Sequence, residues 1–237
     1  MRFWPLVVIL GLGACEPVVT GSSGADAPGL PVRETGPQVA QRQALNNFGV
    51  VVARVEPLAE RMCRARAPQL NCDFRIVVDN RPNQPVNAFQ TVDQTGRPII
   101  AFTVPLILQA RNRDEIAFVM AHEAAHHIEG HLARQRQNAV LGATLFGALA
   151  GSLGNTTPEA IDSAQQLGAT VGARSYSKAF ELEADALGTV LTDAAGYDPL
   201  VGAQFFFRIP DPGDRFLGTH PANADRLRTV QRVAAGL

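Results

Sequence analysis

The chain has 237 residues, 21 basic against 22 acidic, for a formal net charge of −1 at pH 7. That length holds one large domain or two small ones with a real core. The near-neutral balance lacks the basic excess of a nucleic-acid footprint, so no nucleic-acid partner is expected, and 46% hydrophobic against 18% charged residues excludes wholesale disorder. Four of the five histidines (His122, His126, His127 and His131) fall inside the string HEAAHHIEGH, and the fifth is His220.

In chain order, residues 1–14 place Arg2 before an apolar run and end in small residues ahead of Cys15. The run is too short for a membrane span and reads as an export leader. Leu12-Gly13-Ala14-Cys15 resembles the bacterial lipobox, which implies cleavage before Cys15 and a lipid on its sulfur. The other reading is an ordinary secretory leader with an incidental cysteine. Glu16, rather than an aspartate, follows, which resembles an outer-membrane sorting signal. The expected location is therefore the bacterial cell envelope, lipid-anchored and facing the periplasm. Residues 15–37 are rich in proline and glycine and read as a flexible tether with a reach of about 25 Å. Of the remaining cysteines, Cys63 and Cys72 would meet an oxidising compartment and are expected to pair, the alternative being two buried thiols.

Residues 38–237 read as a single domain, mostly helical with a small sheet. Leu45, Phe48, Val52, Val55, Ala59 and Met62 recur at spacings of three and four, which predicts a helix with one buried face, bent at Pro57. Two β-rich runs follow, from Phe74 to Val78 and from Ile99 to Val104. Asn112 and Glu115 form a plausible capping box for the next helix, which carries the histidines. Residues 139–154 hold sixteen positions without a charge, too short for a comfortable membrane span, and read as a buried helix or helical hairpin beside the site. The stretches 158–172, 177–195, 199–208 and 221–235 read as helices.

His122-Glu123-Ala124-Ala125-His126 is H-E-x-x-H. On a helix the two imidazoles at i and i+4 share one face and can hold a single Zn²⁺, with Glu123 placed to take a proton from its water. A chance string on an ordinary helix is the alternative. A catalytic zinc needs a third protein ligand and one open position. His127 points about 100° away from His126, and His131 lies five residues on, off the ligand face, so both read as histidines that support a ligand or simply pack rather than as ligands. Downstream, Glu181 and Asp185 share a helix face, with Glu183 pointing elsewhere. One of that pair can bind metal while the other orients an imidazole, or the two can be a solvated acidic face.

HEAAHHIEGH, then FELEADALG, AGYDP and His220-Pro221 with Arg226, together with Asn87-Ala88-Phe89, resemble the HtpX/CAAX-prenyl-protease type of zinc metallopeptidase, a gluzincin-like family, over roughly residues 40–235. The resemblance implies a zincin-like α+β fold with an H-E-x-x-H active-site helix and one zinc per chain, held by His122, His126 and Glu181. It implies Glu123 as general base, Asp185 as the group orienting a ligand histidine (His122), and His220 near the metal as oxyanion donor. The chain departs from the membrane-embedded members in having no clear spanning helices. The expected activity is endopeptidase cleavage of exported, unfolded or misassembled polypeptides in envelope quality control. The substrate backbone is expected to pair along the run from Ile99 to Val104 as a sheet edge. The membrane is reached through the lipid on Cys15. The alternative is a zinc-binding assembly factor or chaperone-like envelope protein whose proteolysis is latent or incidental.

Overall fold

The structure is a computed structural model that describes residues 37–208, apart from 153, 155, 156 and 176, and residues 221–237. The leader, Cys15, the tether as far as residue 36, and His220 lie outside the described residues.

Gly36–Leu237 forms one compact unit. Helix α1 (Pro37–Arg66) runs through Pro57 and buries Phe48, Val51, Val55, Ala59 and Cys63. Leu45, expected on that face, is exposed. Three strands follow: β1 (Arg75–Asp79), β2 (Ala88–Val92) and β3 (Pro98–Thr103). A tight turn joins β2 to β3: the Asp93 carboxylate accepts from the amides of Thr95 and Arg97, and Gly96 takes φ +80°. Helix α2 (Val104–Gln109) leads to α3 (Arg113–Ile128). Cys63 and Cys72 form a disulfide with Cα atoms 5.6 Å apart, tying the end of α1 to the loop before β1.

The strand order is β1-β3-β2, with β1 parallel and β2 antiparallel to β3. This corrects one expectation. The run from Ile99 to Val104 is the central strand, its two ladders are taken by its neighbours, and Val104 already opens α2. The burial of β3, with Ile100, Ala101, Phe102 and Thr103 all at 3% exposure or less, explains why: a strand this apolar is stable inside the sheet, not at its rim. The outer strand on the other side is β2.

Helix α3 is apolar almost all round, which is the pattern of a helix at the centre of a core. It packs against α1, the sheet and α6 (Ser177–Ala194). Ile116 and Met120 are fully buried, each contributing about 1.5–3 kcal/mol of transfer free energy. Its N-cap is as expected: Asn112 Oδ1 accepts from the Glu115 amide at 2.9 Å. The Glu115 carboxylate does not return to Asn112. It accepts from the Arg111 amide and pairs with Arg208.

The chain then turns at Gly130, φ +66°, and starts α4 (His131–Ser152), which packs closely on α5 (Pro158–Ser175). The stretch from 139 to 152 is part of a single helix, the helix alternative of the expectation, and the hairpin is made with α5, but the burial is not as expected. Val140, Leu141, Leu145 and Leu149 are 56–69% exposed, and among the described residues of the charge-free stretch Gly147 is the buried one. Gly142, Gly168 and Gly172 explain this. At each, a β-carbon would collide with the backbone of the partner helix, so the glycines make the helix–helix contact and the large side chains are left outside. Helix α7 (Pro199–Gly202), continued by a 3-10 turn (Ala203–Arg208), and α8 (Asn223–Ala234) close the body against α3 and α6. No helix among the described residues is long and apolar enough to cross a membrane.

Candidate metal centre

Two crossing helices supply the centre. Helix α3 presents His122 and His126, one turn apart, and α6 presents Glu181 and, one turn on, Asp185. His122 Nε2 lies 3.1 Å from His126 Nε2 and 3.5 Å from Glu181 Oε2, and His126 Nε2 lies 3.4 Å from Glu181 Oε1. Ligands at about 2.0–2.1 Å around a tetrahedral zinc stand about 3.3 Å from one another. The three donors thus fit a zinc, and they are the one such group among the described residues. Each imidazole also has its Nδ1 engaged, which turns Nε2 toward the metal position.

The His122 partner is Asp185, whose Oδ1 is 2.9 Å from His122 Nδ1. Asp185 is fully buried, and Arg226 on α8 holds it with a two-pronged contact, Nε to Oδ2 at 2.8 Å and a terminal nitrogen to Oδ1 at 2.6 Å. The Arg226 guanidinium lies over the Phe206 ring at 3.7 Å. Burial would raise the Asp185 carboxyl, but the Arg226 charge and hydrogen bonds from Arg226 and His122 hold it below the usual carboxylate range. Burial and the Arg226 charge work against a proton on His122, yet the hydrogen bonds to Asp185 and Glu181 outweigh them and push the metal-free imidazole up to about 9.

Glu123, half-buried, lines the same cleft as the three donors, a cavity of about 660 Å³. Its apolar wall includes Phe89, Leu106, Val119, Phe180 and Phe205, and β2 contributes Ala88, Phe89 and Gln90.

Neither of the other cluster histidines belongs to the three-donor set. His127 Nε2 donates to the Asn71 carbonyl at 2.8 Å, and its ring meets Phe74 edge-on. Burial holds its imidazole down. His131 returns to the centre, because the break at Gly130 turns the chain where a continuous α3 would have carried it away. Its Nδ1 is 2.8 Å from His126 Nδ1 and its Nε2 is 3.0 Å from Glu183 Oε2. Burial brings its imidazole down to about 4 against the pull of Glu183. Glu183, expected to face away, thus belongs to the surroundings of the site, where Arg134 also grips it. The signal in the sequence was Gly130 directly after the helix, a residue suited to a left-handed stop.

Residues 47–234 match the profile of peptidase family M48. Among curated proteins the chain is similar to a Vibrio cholerae protein named "Putative beta-barrel assembly-enhancing protease", 36% identical over 54% of this chain and 29% of that one. It is similar to the beta-barrel assembly-enhancing protease of Escherichia coli O157:H7, 30% identical over 64% of this chain and 33% of that one. It is also similar to the mitochondrial metalloendopeptidase OMA1 of Arabidopsis thaliana, 29% identical over 68% of this chain and 31% of that one. The chain spans about a third of the length of these relatives.

Proposed function

The chain belongs to peptidase family M48 and is a metalloprotease, and from that premise we propose a zinc-dependent endopeptidase that cleaves exported, unfolded or misassembled polypeptides in the quality control of the bacterial cell envelope. The observation that carries this reading is the set of three donors at tetrahedral spacing, with Glu123 lining the same cleft. His122, His126 and Glu181 would hold the metal. When bound, zinc supplies a polarised scissile carbonyl and a water with a pKa near 7.

The protein's own groups do the rest. Glu123 takes the proton of the attacking water and passes it to the leaving amine. Arg226, through Asp185, fixes the tautomer of His122 so that Nε2 carries the lone pair. His220 would donate to the oxyanion; that role rests on the resemblance of the His220-Pro221 motif. The substrate edge moves from β3 to β2. Among the described residues β2 has no strand on its outer side, and its residues line the cleft, so an extended peptide can add there as a further strand. Such pairing reads backbone more than side chain, which suits unfolded substrates, and the apolar wall favours apolar side chains beside the scissile bond.

The setting rests on the leader, on Cys15 with its expected lipid, and on the 15–37 tether ahead of a peptidase domain at 38–237. The names of the two bacterial relatives suit an envelope setting. The test is zinc content and casein cleavage of the protein against its Glu123→Gln variant. Retained zinc with cleavage lowered by at least about 100-fold supports the assignment, and full cleavage by the variant overturns it. The exposed apolar side of α4–α5 favours a second reading, a zinc-binding assembly factor with incidental proteolysis. In a pull-down with Glu123→Gln, one stoichiometric partner points to that role and a spread of unfolded chains points to the protease.

A further inference from the structure

The two imidazoles of the centre are held by different chemistry. Asp185, a carboxylate, takes the Nδ1 proton of His122 directly. Among the described residues His126 has no carboxylate at its Nδ1; what stands there, 2.8 Å away, is another imidazole, that of His131. Two ring nitrogens at that distance share one proton. His126 can serve as a ligand only through an unprotonated Nε2, so the proton sits on its Nδ1 and is donated to His131 Nδ1. The His131 proton is thereby forced onto Nε2, 3.0 Å from Glu183 Oε2. A single arrangement of protons satisfies every atom in the row, and it ends with a lone pair aimed at the metal position.

We infer that His131 and Glu183 are positioning residues that aim and polarise His126 through this row, with Arg134 as brace. The placement is specific. His131 is the first residue of α4, brought back by the turn at Gly130, and its ring stacks on Phe180 at 4.7 Å and 11°. Arg134, one turn on, reaches Glu183 Oε2 at 2.5 Å and lies against the same Phe180 ring at 4.3 Å. Phe180 immediately precedes Glu181, so one aromatic ring sets the height of the row and the approach of the third ligand. A negative charge at the far end of such a row makes Nε2 of His126 a stronger donor, as a carboxylate does directly for the other histidine.

The inference rests on His126 being a ligand, as proposed above, and the test separates the two. Zinc affinity is measured by competition with a chelator in the full chain, with folding followed by circular dichroism and the site followed by the absorption of the cobalt-substituted protein. His131→Phe keeps the stack on Phe180 and removes the acceptor. The expected result is zinc binding weaker by about 10–100-fold and a shifted cobalt spectrum, with folding retained. Glu183→Gln, at a half-exposed position where folding is insensitive, is expected to weaken binding by a smaller factor, about threefold to tenfold. If His131→Phe does not fold, Glu183→Gln decides alone. Wild-type affinity and an unchanged cobalt spectrum in these variants, while His126→Ala loses zinc, overturns the row and leaves the ligand set standing. Wild-type affinity in His126→Ala overturns the ligand set itself.

Discussion

Gly188 on α6 lies against the backbone of His122 on α3: a β-carbon at position 188 would stand 3.1 Å from both the N and the Cα of His122. The distance between the two ligand-bearing helices is therefore set by a missing side chain. Gly188→Val must push α6 outward or strain α3, at a cost of about 1–3 kcal/mol. It is expected to lower the thermal midpoint and weaken zinc binding together, because Glu181 moves with α6. Gly188→Ala asks only a few tenths of an ångström and should do the same to a smaller degree. Unchanged melting and unchanged zinc titration in the valine variant would remove this crossing as the element that spaces the ligands.

A metal held by two helices far apart in sequence binds the folded chain and not the unfolded one. Zinc at 100 times its dissociation constant should add about 2.7 kcal/mol of stability. Scanning calorimetry with zinc and with chelator should show the loaded protein melting higher. Glu181→Ala should abolish most of that difference; an equal zinc-induced rise in the variant would show that the third donor lies elsewhere.

Arg226→Met leaves the buried Asp185 carboxylate without its cation, which should cost about 3–5 kcal/mol. The pH dependence has a definite sign. The folded Asp185 carboxyl lies below its ordinary value, so the stability it contributes is present above the unfolded value near 3.9 and is lost as pH falls through the folded one. Without Arg226 the burial that raises this carboxyl is no longer opposed by charge. Acid unfolding of the metal-free variant, followed by circular dichroism, should therefore begin at higher pH than in the wild type. A transition at the same or lower pH would contradict the pairing.

The Cys63–Cys72 disulfide closes a short loop, nine residues in sequence separation. Replacing both cysteines by serine should destabilise the domain by about 2–3 kcal/mol on the loop-entropy model. The ligands sit on α3 and α6, so zinc affinity should change far less than the denaturation midpoint. A large loss of zinc with little loss of stability would show that the loop acts on the site through the Asn71 carbonyl and His127 instead.

The motif helix is readable in the sequence because its determinants are local: Asn112 caps it, and i,i+4 spacing alone puts His122 and His126 side by side. The same holds for Glu181 and Asp185, although their spacing does not say which binds metal. What escapes a linear reading is whatever depends on a change of direction or a distant partner. Extrapolating α3 past Gly130 sends His131 away from His126, and the actual turn brings it back. Once His131 returns, Glu183 has a partner that its own helix face could not reveal. The position of β3 inside the sheet depends on β1 and β2 pairing from both sides. In α4 leucine and glycine read alike as apolar, yet the glycines make the contact with α5 and the leucines remain outside.

The α4–α5 hairpin leaves the body just after one ligand helix and re-enters it just before the other, and between those roots it packs chiefly on itself. Topologically it is an excursion from the crossing of α3 and α6, and that crossing is indifferent to how far the excursion goes. Its length and its outward surface are free to vary, whereas its first turn, with His131 and Arg134, is not. A graft between α4 and α5 is expected to leave zinc binding intact, whereas a shift of a single residue at the root is expected to disrupt it.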